Sequence, residues 1–368
     1  MRYLFFCKFH KKNTEVFYSC KTVVKLFITC KITTMEILSC SDSDIEKAAA
    51  ALAAGFLVAF PTETVYGLGA DAFNPSALAK VFDAKNRPHF DPLIVHIAEM
   101  EALPRIIDTA SIGGATMERL SILGERLWPG PLTLVLPKRK ALPDLATAGL
   151  PTAAVRFPSH PTAQKLIRIS TGAVAAPSAN LFGHLSPTSA HHVISQLGKK
   201  VDFIVDGGRT QVGLESTVLD LCGDSPVILR QGGTPREEIE ALIGPVGLST
   251  MLPEAAPDID EKPLSPGQLK SHYAPRTPLV LHKFGELALL PLAADEGRLY
   301  FTQPMANPGQ TRVLSESGDP VEAAANLFAM LHELDSLGLK LIRAEEAPPA
   351  GLGEAINDRL RRASARKV

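Results

Sequence analysis

Gly55 to His96 reads GFLVAFPTETVYGLGADAFNPSALAKVFDAKNRPHFDPLIVH. Phe56 to Phe60 is a short apolar run, the pattern of a strand buried on both faces. Pro61 stops it. A polar turn follows with two hydroxyls (Thr62, Thr64), a carboxylate (Glu63) and a phenol (Tyr66). Gly67 and Gly69 let the backbone bend or approach a ligand closely. Asn74-Pro75 is a helix start, an N-cap followed by proline at the first helical position. Pro88 disfavours helix at Arg87, so that helix ends near Lys85 and Arg87. A second strand, Leu93 to Ile97, puts Ile94 and His96 on one face. Hydroxyls, two cations and a histidine thus gather at the ends of buried elements, where α/β sheets form binding sites.

Working outward, 368 residues are too many for one typical domain and suggest two. The chain is 45% hydrophobic and 21% charged, ordinary for a globular protein. A formal charge of −1 gives no global pull toward nucleic acid or membrane. No apolar run reaches the ~20 residues that span a bilayer. Four of the five cysteines (Cys7, Cys20, Cys30, Cys40) fall in the first 40 residues, leaving Cys222 in the body. That usage fits a reducing, cytoplasmic compartment. Residues 1–34 are rich in Lys, Phe and Cys and unlike the rest. They match neither a secretory signal nor a transit peptide. The ordinary start at Met35 makes an over-called start codon the preferred reading.

Ser43 and Glu46 have capping-box spacing, which predicts a helix over 44–54. Further helices are expected at 117–127, 162–169 and 189–197. Strands are expected at 132–136, 153–157, 173–176, 203–206, 216–220 and 227–230. Strands and helices mix without strict alternation, which points to a mixed twisted sheet with flanking helices. From about residue 244 to 278 the sequence loosens into a linker, apart from the patterned stretch SPGQLKSHYAP. A smaller α/β unit follows, with strands at 279–281, 298–302, 312–314 and 340–344. Asp319 and Pro320 open its helix, with Val321, Ala324, Ala325, Phe328 and Leu331 at core spacing. GLGEAINDRLRRAS reads as a polar last helix with a basic end.

The chain has no P-loop, no H-E-x-x-H, no zinc-type Cys/His spacing and no nucleophile elbow. Gly67-Leu68-Gly69 is at best a degenerate dinucleotide fingerprint. Instead, cations and hydroxyls recur at strand ends: Lys85, Arg87, Arg156, Ser178, Asn180, Thr188, Ser216 and Arg230. Bidentate arginines suit carboxylates and phosphates. The set fits an anionic nucleotide with a small zwitterion. Each residue alone also has a plainer reading: Arg156 as an ion pair, Asn180 as a turn residue, His96 as a core histidine.

Taken together, FPTETVYGLG, AKNRP, PLIVH, WPGPLTLVL, VRFP, APSAN, SPT, LESTVLD and ILRQGG resemble the threonylcarbamoyl-AMP synthase family. SPGQLKSHYAPRTP and GLGEAINDRLRRA resemble the linker and the end of its long, two-domain form. Gln231 departs from the family pattern, which often has proline there. Residues 1–34 match nothing. The resemblance implies a YrdC-like catalytic domain over 35–244, a linker or lid over 245–277 and a Rossmann-like C-terminal domain over 278–368. It implies synthesis of threonylcarbamoyl-AMP from L-threonine, bicarbonate and ATP, with Mg²⁺ accompanying ATP and no metal held by the protein itself. It assigns L-threonine to Thr64, His96, Arg156, Ser178 and Ser216. ATP falls to Lys85, Arg87, Asp91, Thr152, Asn180, Thr188, Arg230 and Tyr273, with Lys85 and Arg87 the catalytic cations. Asp91 is expected to meet the nucleotide through backbone, ribose or metal. Implied partners are downstream threonylcarbamoyl transferases and a weak contact with tRNA, with no membrane. Residues 265–275 are a candidate lid. Two competing readings are an RNA-binding protein without catalysis and the carbamoyl-transfer domain of hydrogenase-maturation proteins.

Overall fold

The computed structural model describes residues 35–249, 272–291, 293–302 and 309–365. The front segment 1–34 and residues 265–271 of the patterned linker stretch lie outside them. Strands in the first part are β1 (Glu36–Leu38), β2 (Val58–Phe60), β3 (Gly67–Asp71), β4 (Ile94–Ile97), β5 (Leu132–Pro137) and β6 (Thr152–Arg156). They continue with β7 (Ala173–Ala175), β8 (Phe203–Val205), β9 (Thr217–Asp220), β10 (Val227–Arg230) and β11 (Gly247–Leu248). They join in one sheet in the order β1-β8-β2-β3-β7-β4-β6-β5-β9-β10-β11. Its pairings are mixed: β4 runs parallel to β6 and antiparallel to β7, and β5 runs antiparallel to β6 and parallel to β9.

Several elements differ from expectation. Gly67 and Gly69 lie within β3, antiparallel to β2, rather than in a bend. A Cβ on Gly69 would stand 2.8 Å from the Phe60 ring and 3.0 Å from Val174, so the sheet requires glycine there for close packing. The first helix, Asp42–Ala53, is capped by Ser41, whose side chain accepts from Asp44 N; the Ser43 box is not used. The helix Pro75–Lys85 has the foreseen Asn74 cap and ends in left-handed Asn86, at φ 52°. A helix at Arg236–Ile243 was not foreseen; Glu237 and Glu238 in its first turn suit its N-terminal dipole.

The second part contains β12 (Leu279–His282), β13 (Glu296–Tyr300), β14 (Thr311–Val313) and β15 (Leu341–Glu345), all parallel, in the order β12-β15-β13-β14. Helix Pro320–Ser336 buries Ala324, Leu327, Phe328 and Leu331 against it. Val321, expected in that core, is exposed. The last helix, Leu352–Ser364, is not a solvated polar rod. Asn357, Arg359 and Arg362 are buried, because carboxylates and carbonyl groups meet them. The apolar cluster of this second part continues into Val65, Leu185, Leu214 and Tyr273. The two sheets are therefore packed through a shared core.

Candidate active site

Two neighbouring strands, β4 and β6, build one wall of a cavity, and a third, β5, supports it. His96 on β4 pairs in register with Arg156 on β6, and Arg156 with Thr133 on β5. Residues directly opposite across a sheet project to the same face. Thr133 Oγ1 lies 2.7 Å from Ser216 Oγ, which ties the wall to the stretch entering β9. Arg156 is buried and stands 2.6 Å from Glu63 Oε1, on the turn after β2. That contact lacks hydrogen-bond alignment, so both Glu63 oxygens and Arg156 Nη2 retain bonding capacity. Buried polar atoms with unused capacity point to a ligand. Burial pushes the His96 imidazole down to about 3, with Arg156 adding to the effect, so the ring is neutral.

The Pro177–Asn180 loop forms a second wall. Lys85 Nζ, at the end of the helix Pro75–Lys85, donates to Ser178 O and, at 2.6 Å, to Asn180 O. Leu68 N donates to Pro177 O and Ala179 N to Tyr66 O. The loop is thus pinned on both sides of Ser178. Burial, with Arg87 nearby, pushes the Lys85 ammonium well below its ordinary range. Arg87 pairs with Asp91 at 2.8 Å and donates to Pro92 O at 2.8 Å. Arg230 donates to Ser216 O at 2.8 Å and to Ser216 Oγ at 3.2 Å. Tyr273 closes the cavity. It is fully buried, left-handed at φ 59°, and among the described residues its hydroxyl has no hydrogen-bond partner. A buried non-glycine residue in that conformation is strained and is held by its surroundings.

The cavity and its mouth together hold about 540 Å³ of empty space, open solvent included. All five residues expected for L-threonine line it: Thr64, His96, Arg156, Ser178 and Ser216. Of the nucleotide set, Arg87, Arg230 and Tyr273 line it as well. The other five are not among its lining residues. Lys85 and Asp91 stand behind Ser178 and Arg87. Thr152 opens β6 at the end opposite Arg156. Asn180 donates to Leu181 O and His184 O, and Thr188 Oγ1 lies 3.3 Å from His192 Nδ1. Among the described residues no group of three or more His, Cys, Asp and Glu side chains is placed to hold a metal ion.

Sequence reasoning missed Thr62, Glu215 and His272, which line the cavity, and Thr133 beside Ser216. Thr62 and Glu63 were visible in the polar turn but carried no pairing signal. Thr133 sits in an apolar run, and only register reveals it.

A twisted α/β sheet that directs buried arginines and hydroxyls into a partly open cavity defines a class of protein with a site suited to small anionic ligands. Comparisons with known proteins narrow it. A family model described as telomere recombination (Sua5/YciO/YrdC) matches residues 50–232. A second, described as the C-terminal domain of threonylcarbamoyl-AMP synthase, matches residues 234–365. The threonylcarbamoyl-AMP synthase of Pyrococcus abyssi is 41% identical over 86% of this chain and 94% of its own length. That of Bacillus subtilis is 42% identical over 90% and 96%. The crystal structure of P. abyssi Sua5 complexed with L-threonine superposes with a TM-score of 0.79 at 39% identity, covering 90% of this chain and 98% of that one. The chain belongs to the threonylcarbamoyl-AMP synthase family, in its two-domain form. No helix among the described residues is long and apolar enough to cross a membrane.

Proposed function

We propose that this protein makes threonylcarbamoyl-AMP and pyrophosphate from L-threonine, bicarbonate and ATP, the activated intermediate for threonylcarbamoyladenosine in tRNA. The observation that carries the reading is one cavity lined by Arg156, Thr64, Ser178 and Ser216 beside Arg87, Arg230 and Tyr273. In this reading Arg156 takes the threonine carboxylate, and the hydroxyls of Thr64, Ser178 and Ser216 hold its remaining polar atoms. The threonine amine and bicarbonate give an N-carboxylate and water. That N-carboxylate is unstable in water, and an enclosed site protects it. One carboxylate oxygen attacks the α-phosphorus of ATP, and pyrophosphate departs with the electron pair of the broken P–O bond. Arg87 and Arg230 offset the charge that develops on the phosphates. Mg²⁺ travelling on the ATP phosphates supplies further neutralisation there. Lys85 acts by holding the Ser178–Asn180 loop in place. Catalysis is positioning and electrostatics, with no covalent nucleophile.

The same reading places the protein in the cytoplasm, handing its product to a threonylcarbamoyl transferase and touching tRNA weakly at most. The test is pyrophosphate release from ATP with L-threonine and bicarbonate present or withheld. Release that needs both, and falls about a hundredfold or more in Arg87→Ala, is the expected result. Release without threonine, or no release alongside steeply salt-dependent RNA binding, overturns it.

A further inference from the structure

The last helix sends one side chain across the boundary between the two sheets. Arg359, on the helix Leu352–Ser364, is among the largest fully buried side chains in the molecule. Its Nε donates to Glu215 Oε2 at 2.8 Å, and its Nη2 to Gln231 O at 2.9 Å. Its guanidinium carbon lies 4.8 Å from the centre of the Tyr273 ring. Asp358, the neighbour on its own helix, pairs with Nη1 at 2.6 Å. Burial opposes the charge, but Tyr273, Glu215 and Asp358 outweigh it and hold the guanidinium protonated.

Each partner across the boundary is a member of the cavity or sits next to one. Tyr273 lines it. Glu215 lines it and precedes Ser216. Gln231 follows Arg230, whose own side chain is fastened to Ser216. The other oxygen of Glu215 accepts from Ser186 Oγ, so this carboxylate is held from both parts of the chain at once. The turn after β10 has no slack: a Cβ on Gly232 would lie 2.3 Å from Glu215 O.

From this geometry we propose that Arg359 is a positioning residue of the active site. Through it the appended domain sets the nucleotide half of the cavity, and the proposal rests on the function given above. A planar fork suits the task. One edge fixes the Glu215 carboxylate and the Gln231 carbonyl, while the face carries the Tyr273 ring. Two of the three partners, Tyr273 and Gln231 beside Arg230, belong to the side assigned to ATP. Only one, Glu215 beside Ser216, touches the threonine side. Losing the fork therefore affects the two ligands unequally.

The experiment is calorimetric titration of the full chain with ATP and, separately, with L-threonine, for wild type, Arg359→Ala, Arg359→Lys and Arg361→Ala. Arg361 lies on the same helix, half-exposed, and pairs with Glu346; it serves as the control. Thermal unfolding checks that each variant is folded. Arg359→Ala is expected to weaken ATP about tenfold or more while L-threonine changes less than threefold. Arg359→Lys keeps the charge without the fork and recovers part of the loss. Arg361→Ala matches wild type. Should Arg359→Ala not fold, Arg359→Lys still reads the split between ligands. Equal weakening of both ligands, or unchanged ATP affinity in a folded Arg359 variant, overturns the proposal while the function stands. A wild-type chain that takes no ATP overturns the function and this role with it.

Discussion

Arg156 and Glu63 are 2.6 Å apart with side chains 4% and 6% exposed. Removing one partner of a buried pair strands the other charge and costs about 3–5 kcal/mol. Arg156→Ala is therefore expected to lose about that much stability by chemical denaturation, together with L-threonine binding by calorimetry. The paired change Arg156→Met with Glu63→Gln removes both charges. It should recover most of the stability and none of the binding. A double variant no more stable than the single one would show that the pair is not the source of the loss. Lys85 belongs to the same scale. Its ammonium satisfies one buried and one part-buried carbonyl, and Lys85→Met leaves them unpaired, at about 1–3 kcal/mol for the buried one and less for the other. We expect that variant to unfold earlier and to show a raised KM for L-threonine, because the loop that presents Ser178 loosens.

At the scale of elements, the approach of helix Pro320–Ser336 to the turn before β9 depends on Gly213. Its φ is +74°, and a Cβ there would lie 2.4 Å from Ala324 O and 2.5 Å from Ala325 Cα. Both obstacles are backbone. Gly213→Ala is expected to destabilise by about 2 kcal/mol or more, through strain and forced separation of the helix. Scanning calorimetry reads this. A variant as stable as wild type would mean that the helix can shift without loss. The strands show why single elements are poor guides here. His96, Arg156 and Thr133 come from three separate apolar runs and meet only because β4, β6 and β5 are neighbours.

At the scale of the molecule, the two parts meet through stacked histidines. The His192 and His332 rings lie 3.8 Å apart, and His332 Nε2 is 3.0 Å from Ser186 O. Burial, with the His332 ring adding to it, pushes His192 down to about 3, and burial pushes His332 to about 4 against the Ser186 hydrogen bond, which raises it. Both fall below the unfolded value of about 6.5, so protons bind the unfolded chain first. Their contribution is full above about pH 6.5 and is lost as the pH falls toward 4 and 3. Each histidine adds at most about 1.4 kcal/mol per pH unit within that window. The unfolding temperature should therefore drop between pH 6.5 and 4, and His332→Asn should flatten that drop. An unchanged slope would exclude the pair as its origin.

The sequence by itself determined the mixed α/β class, the Asn74-capped helix, the all-parallel second sheet's strands to within a few residues, and the family. It could do so because periodicity, caps and motifs are local. It also named Thr64, His96, Arg156, Ser178 and Ser216, which line one cavity, through family motifs rather than spacing. Only the tertiary structure decided the rest. Gly67 and Gly69 became strand because β3 pairs with β2, and at Gly69 Phe60 and Val174 leave no room for a Cβ. Thr133 joined the site through register. The last helix, polar in sequence, became buried because Glu215 and the Gln231 carbonyl, over a hundred residues earlier in the chain, meet Arg359. Pairings of that span depend on which surfaces the fold brings together, and no local pattern encodes them.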